Sequence, residues 1–167
     1  MNSTHEWLKL SDRTKRNIFE QTAAAIGLPN AAAVEKDWWV VRTLALVFKS
    51  SIAQHAVFKG GTSLSKAWGL IERFSEDIDL ALDRSCLGFS QTDMEMNNSQ
   101  VSKLRRKSQK FVTEIFLPQM QQLFSDAGFK DVTLMLGEIK MMILTLLPLR
   151  FTIHQLPNQL NTYSHVF

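Results

Sequence analysis

Two short stretches carry the residue types that could do chemistry. FKGGTSLSKAW (58–68) gathers two adjacent glycines, Thr62, Ser63 and Lys66, and RFSEDIDLAL (73–82) follows, with Asp77 and Asp79 one residue apart. Side chains at i and i+2 of a strand point the same way, roughly 7 Å apart at the α-carbons. Two carboxylates so placed repel each other unless a cation lies between them. Magnesium prefers oxygen ligands and takes phosphate oxygens as its others, so it suits such a pair. A lone D-x-D is more often the solvated face of a strand. Gly60 and Gly61 would let the backbone approach a ligand closely, and N–H groups at a following helix start favour anions. The Walker A spacing G-x-x-x-x-G-K-[ST] is absent, and alone this turn reads as an ordinary strand-to-helix connection. By themselves the two stretches leave two readings open, an ordinary turn feeding an ordinary strand or the two halves of one phosphate-and-metal site.

The flanking sequence predicts the elements that must hold them. Ser11 caps a helix running to about Ile26, closed by Gly27 and Pro29. Asn30 caps a second, AAAVEKDWWVVRTLALVFKS, with apolar positions 34, 38, 41, 44 and 48 at helical spacing. AVFK (56–59) reads as a short strand, TSLSKAW as the start of a helix, and DIDLAL as a strand. In that strand Ile78, Leu80 and Leu82 share one face, and Asp77, Asp79 and Ala81 the other. Residues 85–100 read as a loop. A long helix from about Val101 to Asp126 follows, ended or kinked at Pro118 and closed by Gly128, and then FKDVTLML as a strand. This order is an α+β pattern without an internal repeat.

A strand, a Gly-Gly turn, a short helix and a D-x-D strand form the layout of nucleotidyltransferases related to DNA polymerase beta. FKGGTSLSKAWGLIERFSEDIDLAL resembles the central motif of the AbiEii/AbiGii toxin nucleotidyltransferases, which read Gly-Gly-Thr-x-Leu and then Arg-x-Ser-x-Asp-x-Asp-Leu. EKDWWV (35–40) is similar to the Glu-Lys-Asp-aromatic segment ahead of that motif in the family. The resemblance spans residues from about 10 to about 136.

The resemblance implies a nucleotidyltransferase-like mixed sheet with flanking helices and an N-terminal helical segment. It also implies a role for each matching residue. Gly60, Gly61, Thr62 and Ser63 would hold a nucleoside triphosphate, assisted by Lys66. Asp77 and Asp79 would bind one or two magnesium (or manganese) ions that activate an acceptor hydroxyl and steady the leaving pyrophosphate. Arg73 and Ser75 would brace the entry to the carboxylate strand or touch phosphate. The activity implied is transfer of a nucleoside monophosphate from an NTP to RNA, tRNA among the candidates. Its setting would be a toxin–antitoxin or abortive-infection system with a cognate antitoxin. The rival readings are a non-catalytic nucleotide- or RNA-binding remnant and an antitoxin-interaction module.

Composition narrows the setting. Hydrophobic residues make up 45% and charged residues 21%, as in globular proteins, and no apolar run reaches the ~18–20 residues that span a bilayer. The polar N-terminus does not read as a secretory signal, and the single cysteine, Cys86, suits a reducing cytoplasm. His5, His55, His154 and His165 show no metal-ligand spacing with Cys86. The net charge of +3 permits a polyanionic partner. Trp38 and Trp39 read as core packing, Lys103, Arg105, Arg106 and Lys107 as a solvated face able to meet phosphate, and Cys86 as inert. Glu35, Lys36 and Asp37 read equally as site supports or as helix-surface pairs.

The chain divides at about residue 136 into a nucleotidyltransferase part (1–136) and a divergent tail (137–167). No acidic residue follows Glu138, whereas the family pattern implies a further carboxylate and a downstream lysine. Lys140-Met141-Met142-Ile143 requires the codons AA(A/G) ATG ATG AT, which read two bases later encode Asn or Asp, then Asp, then Asp. A reading-frame shift is one expectation, which would make the chain a truncated, poorly active copy. A short variant whose tail packs on the sheet is the other.

Overall fold

The computed structural model describes residues 2–72, 77–90, 95–134 and 146–151, the last of these as backbone. The N-terminal helices form where the caps predict. α2 (Asp12–Ala25) begins at Ser11, whose Oγ accepts the Thr14 N–H at 3.2 Å. α3 (Ala31–Val47) begins at Asn30, whose Oδ1 accepts the Ala33 N–H at 3.0 Å. A further helix, α1 (Asn2–Lys9), precedes them. It carries Trp7, whose ring lies 5.1 Å from Phe19 and 5.0 Å from Trp38, tying all three helices together. The stripe expected on α3 holds at Trp38 and Leu44, which pack against the core, and is corrected at Val41 and Phe48. Val40, Thr43, Leu46 and Val47 are buried, whereas Val41 and Phe48 are 46% and 45% exposed. The two tryptophans set this rotation, because Trp38 and Trp39 both pack towards Phe129, at 5.9 and 5.3 Å.

The strands and helices of the motif follow in order. β1 (Ala56–Lys59) runs directly into α4 (Gly60–Lys66), and β2 (Ile78–Asp83) leads into a 3-10 turn, Arg84–Leu87. α5 (Asn98–Phe111) starts earlier than expected. A capping box sets its start, with Asn97 Oδ1 accepting the Gln100 N–H and Gln100 Oε1 accepting the Asn97 N–H, both at 2.9 Å. The 85–100 stretch is therefore less loop-like than predicted. A π-turn, Val112–Phe116, links α5 to α6 (Leu117–Asp126). It absorbs Pro118, which lacks an N–H and whose ring would collide with a carbonyl four residues back. The helical run continues, and Gly128 closes it at φ 94.

The sheet order is β1-β2-β3, with β3 at Leu146–Phe151. The fold is α+β, as expected, and the described strands all pair antiparallel, Lys59 opposite Asp79 and Asp79 opposite Arg150. The strand expected in FKDVTLML is absent up to Leu134. There the Gln121 side chain takes over the backbone partners, donating to Val132 O at 2.6 Å and accepting the Leu134 N–H at 3.0 Å. The third strand comes instead from the segment read as a divergent tail. Pro148 concealed it, since proline is confined to edge strands, and β3 is an edge of the described sheet.

Ile78, Leu80 and Leu82 are 1%, 0% and 1% exposed and join Phe116, Met120 and Phe124 in one core. Removing a fully buried phenylalanine side chain typically costs about 3–5 kcal/mol. Ala81, on the opposite face, is also buried, because α4 folds back against β1 and β2. β2 is thus covered on both faces, and Asp79 sits half-buried near its start. No helix among the described residues is long and apolar enough to cross a membrane.

Candidate active site

Two contacts lock the turn to the carboxylate strand, and a third holds the turn itself. Lys59 is extended and Gly60 turns the chain at φ 77, a conformation that side chains other than glycine adopt poorly. A Cβ on Gly60 would stand 3.1 Å from Asp79 Cγ and closer still to Oδ2. The Asp79 carboxylate therefore fills the space that only a glycine leaves open. Thr62 Oγ1 donates to the Asp77 carbonyl at 2.6 Å, and Ser63 Oγ donates to the Gly60 carbonyl at 2.9 Å. Gly61, by contrast, lies within the helix without a positive φ.

The burial of these hydroxyls changes how the turn can meet a ligand. Thr62 is 0% and Ser63 5% exposed, and both hydroxyl protons are committed to backbone carbonyls. What remains for an anion is the backbone, since the first N–H groups of a helix have no intrahelical acceptor. Thr62 thus acts as a clamp: it ties α4 to the residue that enters β2.

Asp77 and Asp79 are half-buried at the same end of β2 as this turn. Lys59 stands opposite Asp79 in the register, a neighbour that sequence reading missed because it did not assign the pairing of the two strands. Carboxylate oxygens are hard donors that suit magnesium, and the Asp79 carboxylate lies directly against Gly60. Among the described residues no group of three or more His, Cys, Asp or Glu assembles. Lys66, the last residue of α4, is ion-paired with Asp37 of α3. Arg73 and Ser75 lie outside the described residues, as do Glu138 and the Lys140–Ile143 run.

Residues beyond this cluster sort themselves by exposure. Lys103, Arg105, Arg106, Lys107 and Lys110 are exposed on α5, while Leu104 and Ser108 face inward. Lys107 is partly anchored, donating to the Leu87 carbonyl at 3.1 Å and standing 5.2 Å above the Phe89 ring. Trp38 and Trp39 are edge-to-face at 4.9 Å within an aromatic layer, as the packing reading expects. Burial and the Asp83 charge push the Cys86 thiol up, which disfavours the reactive thiolate. Asp83 itself is held below the usual carboxylate range by hydrogen bonds from Ser85.

The sequence motif and this geometry agree with a comparison against known families. The family model of the nucleotidyl transferase AbiEii toxin, type IV TA system, matches residues 42–139, more than half of the chain. The chain belongs to this family. The match runs from within α3 through α6 and includes the Gly-Gly turn and both aspartates, whereas EKDWWV lies ahead of it. AbiEii membership makes the protein a nucleotidyltransferase toxin by family. No curated protein and no solved structure matches the chain.

Proposed function

We propose that this AbiEii protein binds a nucleoside triphosphate with magnesium in the angle between α4 and β2, and transfers its nucleoside monophosphate to RNA in the cytoplasm. The observation that carries this reading is the contact of the Asp79 carboxylate with Gly60, reinforced by the Thr62 clamp on Asp77. It supports reading the turn and the carboxylate pair as one site. The phosphates would lie against the backbone N–H groups of Gly61, Thr62 and Ser63, with the Lys66 ammonium beside them. Arg73 and Ser75 keep the phosphate-side role that the resemblance gives them. Asp77 and Asp79 would hold the ion, which supplies charge stabilisation at the transferring phosphoryl group.

The acceptor is read from charge. α5 has five cations and no acid among its fourteen residues, and Lys103, Arg106, Lys107 and Lys110 recur at i, i+3, i+4 and i+7 on its solvent side. Such a stripe meets a phosphodiester backbone well. A cognate antitoxin, the partner implied by a type IV system, would hold the activity in check. Incubation with labelled ribonucleoside triphosphates, magnesium and total tRNA tests the proposal. Label is expected in RNA with the native chain and not with Asp79→Asn. Equal labelling by both would remove Asp79 from the reaction, and no labelling by either would leave nucleotide binding without transfer.

A further inference from the structure

Asp37 belongs to EKDWWV, the segment whose role the motif leaves open, and it lies outside the region matched by the family. It is nevertheless tied to α4, the helix that carries the Gly-Gly turn. Its carboxylate pairs with the Lys66 ammonium across the gap between α3 and the last turn of α4, with side-chain exposures of 20% and 30%. The pair is partly shielded from solvent, unlike the fully open Lys9–Glu6 pair, at 58% and 68%.

The surroundings fix the Asp37 end of the bridge. Trp38 packs on Trp7 at 5.0 Å and Trp39 on Phe129 at 5.3 Å, so the rotation of α3 is set immediately beside Asp37. The Arg42 guanidinium, one turn on, lies 5.1 Å over the Trp38 ring and adds to that anchoring. At the other end α4 is clamped to β2 by Thr62. Two anchored helices thus hold one ammonium at a defined place. A lysine left alone is a flexible point charge, and ordering such a side chain at the moment of binding costs affinity.

We infer that Asp37 is a positioning residue for Lys66, holding its ammonium in place before the triphosphate arrives. The inference rests on the reading that Lys66 meets phosphate. Asp37 touches neither nucleotide nor metal; it acts through the lysine. Losing it leaves the cation present but unordered. The expected loss is therefore modest, about 2- to 10-fold in triphosphate affinity for one side chain freed.

The test is calorimetry on the full chain with ATP, GTP, CTP and UTP in the presence of magnesium, followed by a double-mutant cycle on whichever binds. Asp37→Asn is expected to weaken binding by about 2- to 10-fold, and Asp37→Glu to restore most of it. In a Lys66→Met background, Asp37→Asn is expected to change affinity no further. That coupling is what a merely structural bridge would not produce. If Asp37→Asn lowers the melting temperature and leaves affinity unchanged, or tightens binding by releasing Lys66 from a competitor, the positioning role is overturned. If Lys66→Met itself binds normally, or none of the four nucleotides binds, the reading of Lys66 fails first and this inference falls with it. Loss in Lys66→Met with no loss in Asp37→Asn sinks the inference alone.

Discussion

The cations of this protein come in two kinds of setting. Lys66 is part-buried, ion-paired to Asp37 and mounted on a helix that is itself clamped to the carboxylate strand. Lys103, Arg105 and Arg106 stand exposed on α5, on a helix whose inward side is held by Leu104 and Ser108. A held charge in a partly desolvated place discriminates position, because moving its target by an ångström changes the interaction steeply. A row of solvated charges discriminates only sign and spacing, and salt screens it. The contrast separates a site that chooses a phosphate group from a surface that gathers a phosphate chain.

The largest expected effect comes from collapsing the held region. Gly60→Ala adds a Cβ where the Asp79 carboxylate already stands and forces a residue with a side chain to φ 77. The backbone term alone costs roughly 1–2 kcal/mol. Magnesium-dependent nucleotide binding is expected to vanish while circular dichroism still reports a helical fold. Normal binding by this variant would show that Asp79 has other room to use. Next, Lys66→Met removes a charge-assisted contact worth about 1.5–3 kcal/mol, roughly 10- to 150-fold in affinity, nearly independent of salt. A strong salt dependence of that loss would erase the distinction between the two settings.

Smaller effects belong to the open face. Lys103→Ala and Arg106→Ala are each expected to weaken RNA binding several-fold, uniformly across sequences, and to lower the salt slope by about 1 per lost phosphate contact. Triphosphate affinity is expected to stay unchanged in both. If either variant alters nucleotide affinity instead, α5 borders the nucleotide rather than the acceptor. Smallest is the response to pH. Ser85 hydrogen bonds lower the Asp83 pKa, so their stabilisation is present above the ordinary carboxylate range and lost as pH falls through the lowered folded value. For Cys86 the sign is opposite. Its raised pKa means the folded chain keeps the proton longer, so stability is full below the ordinary thiol value and declines above it. Alkylation of Cys86 is accordingly expected to be slower in the native than in the urea-unfolded chain at mildly alkaline pH. Equal rates would contradict that shielding.

Local chemistry made part of this legible before any coordinates. Ser11 and Asn30 signalled helix starts, AVFK and DIDLAL signalled strands, and the Gly-Gly turn next to D-x-D signalled the site. What stayed hidden depends on contacts distant in sequence. The face of α3 was partly misjudged because Trp38 and Trp39 pack towards Phe129, a residue far along the chain, and so turn Val41 outward. The third strand was missed because Pro148 argues locally against pairing, while an edge position tolerates it. Thr62 and Ser63 were read as phosphate ligands from their hydroxyls, yet both donate inward to carbonyls. Asp37 could not be assigned from EKDWWV because its partner, Lys66, lies on another helix.

The central claim is that the Gly-Gly turn and the Asp77–Asp79 pair form one magnesium–nucleotide site, and calorimetry of triphosphate binding tests it most directly. Titrations with and without magnesium are needed for the native chain and for Asp77→Asn and Asp79→Asn, with thermal melts to confirm folding. The account expects saturable binding by the native chain that requires magnesium and disappears in both variants while their melts stay cooperative. Nucleotide binding of equal strength in both folded variants, or binding indifferent to magnesium, would contradict it.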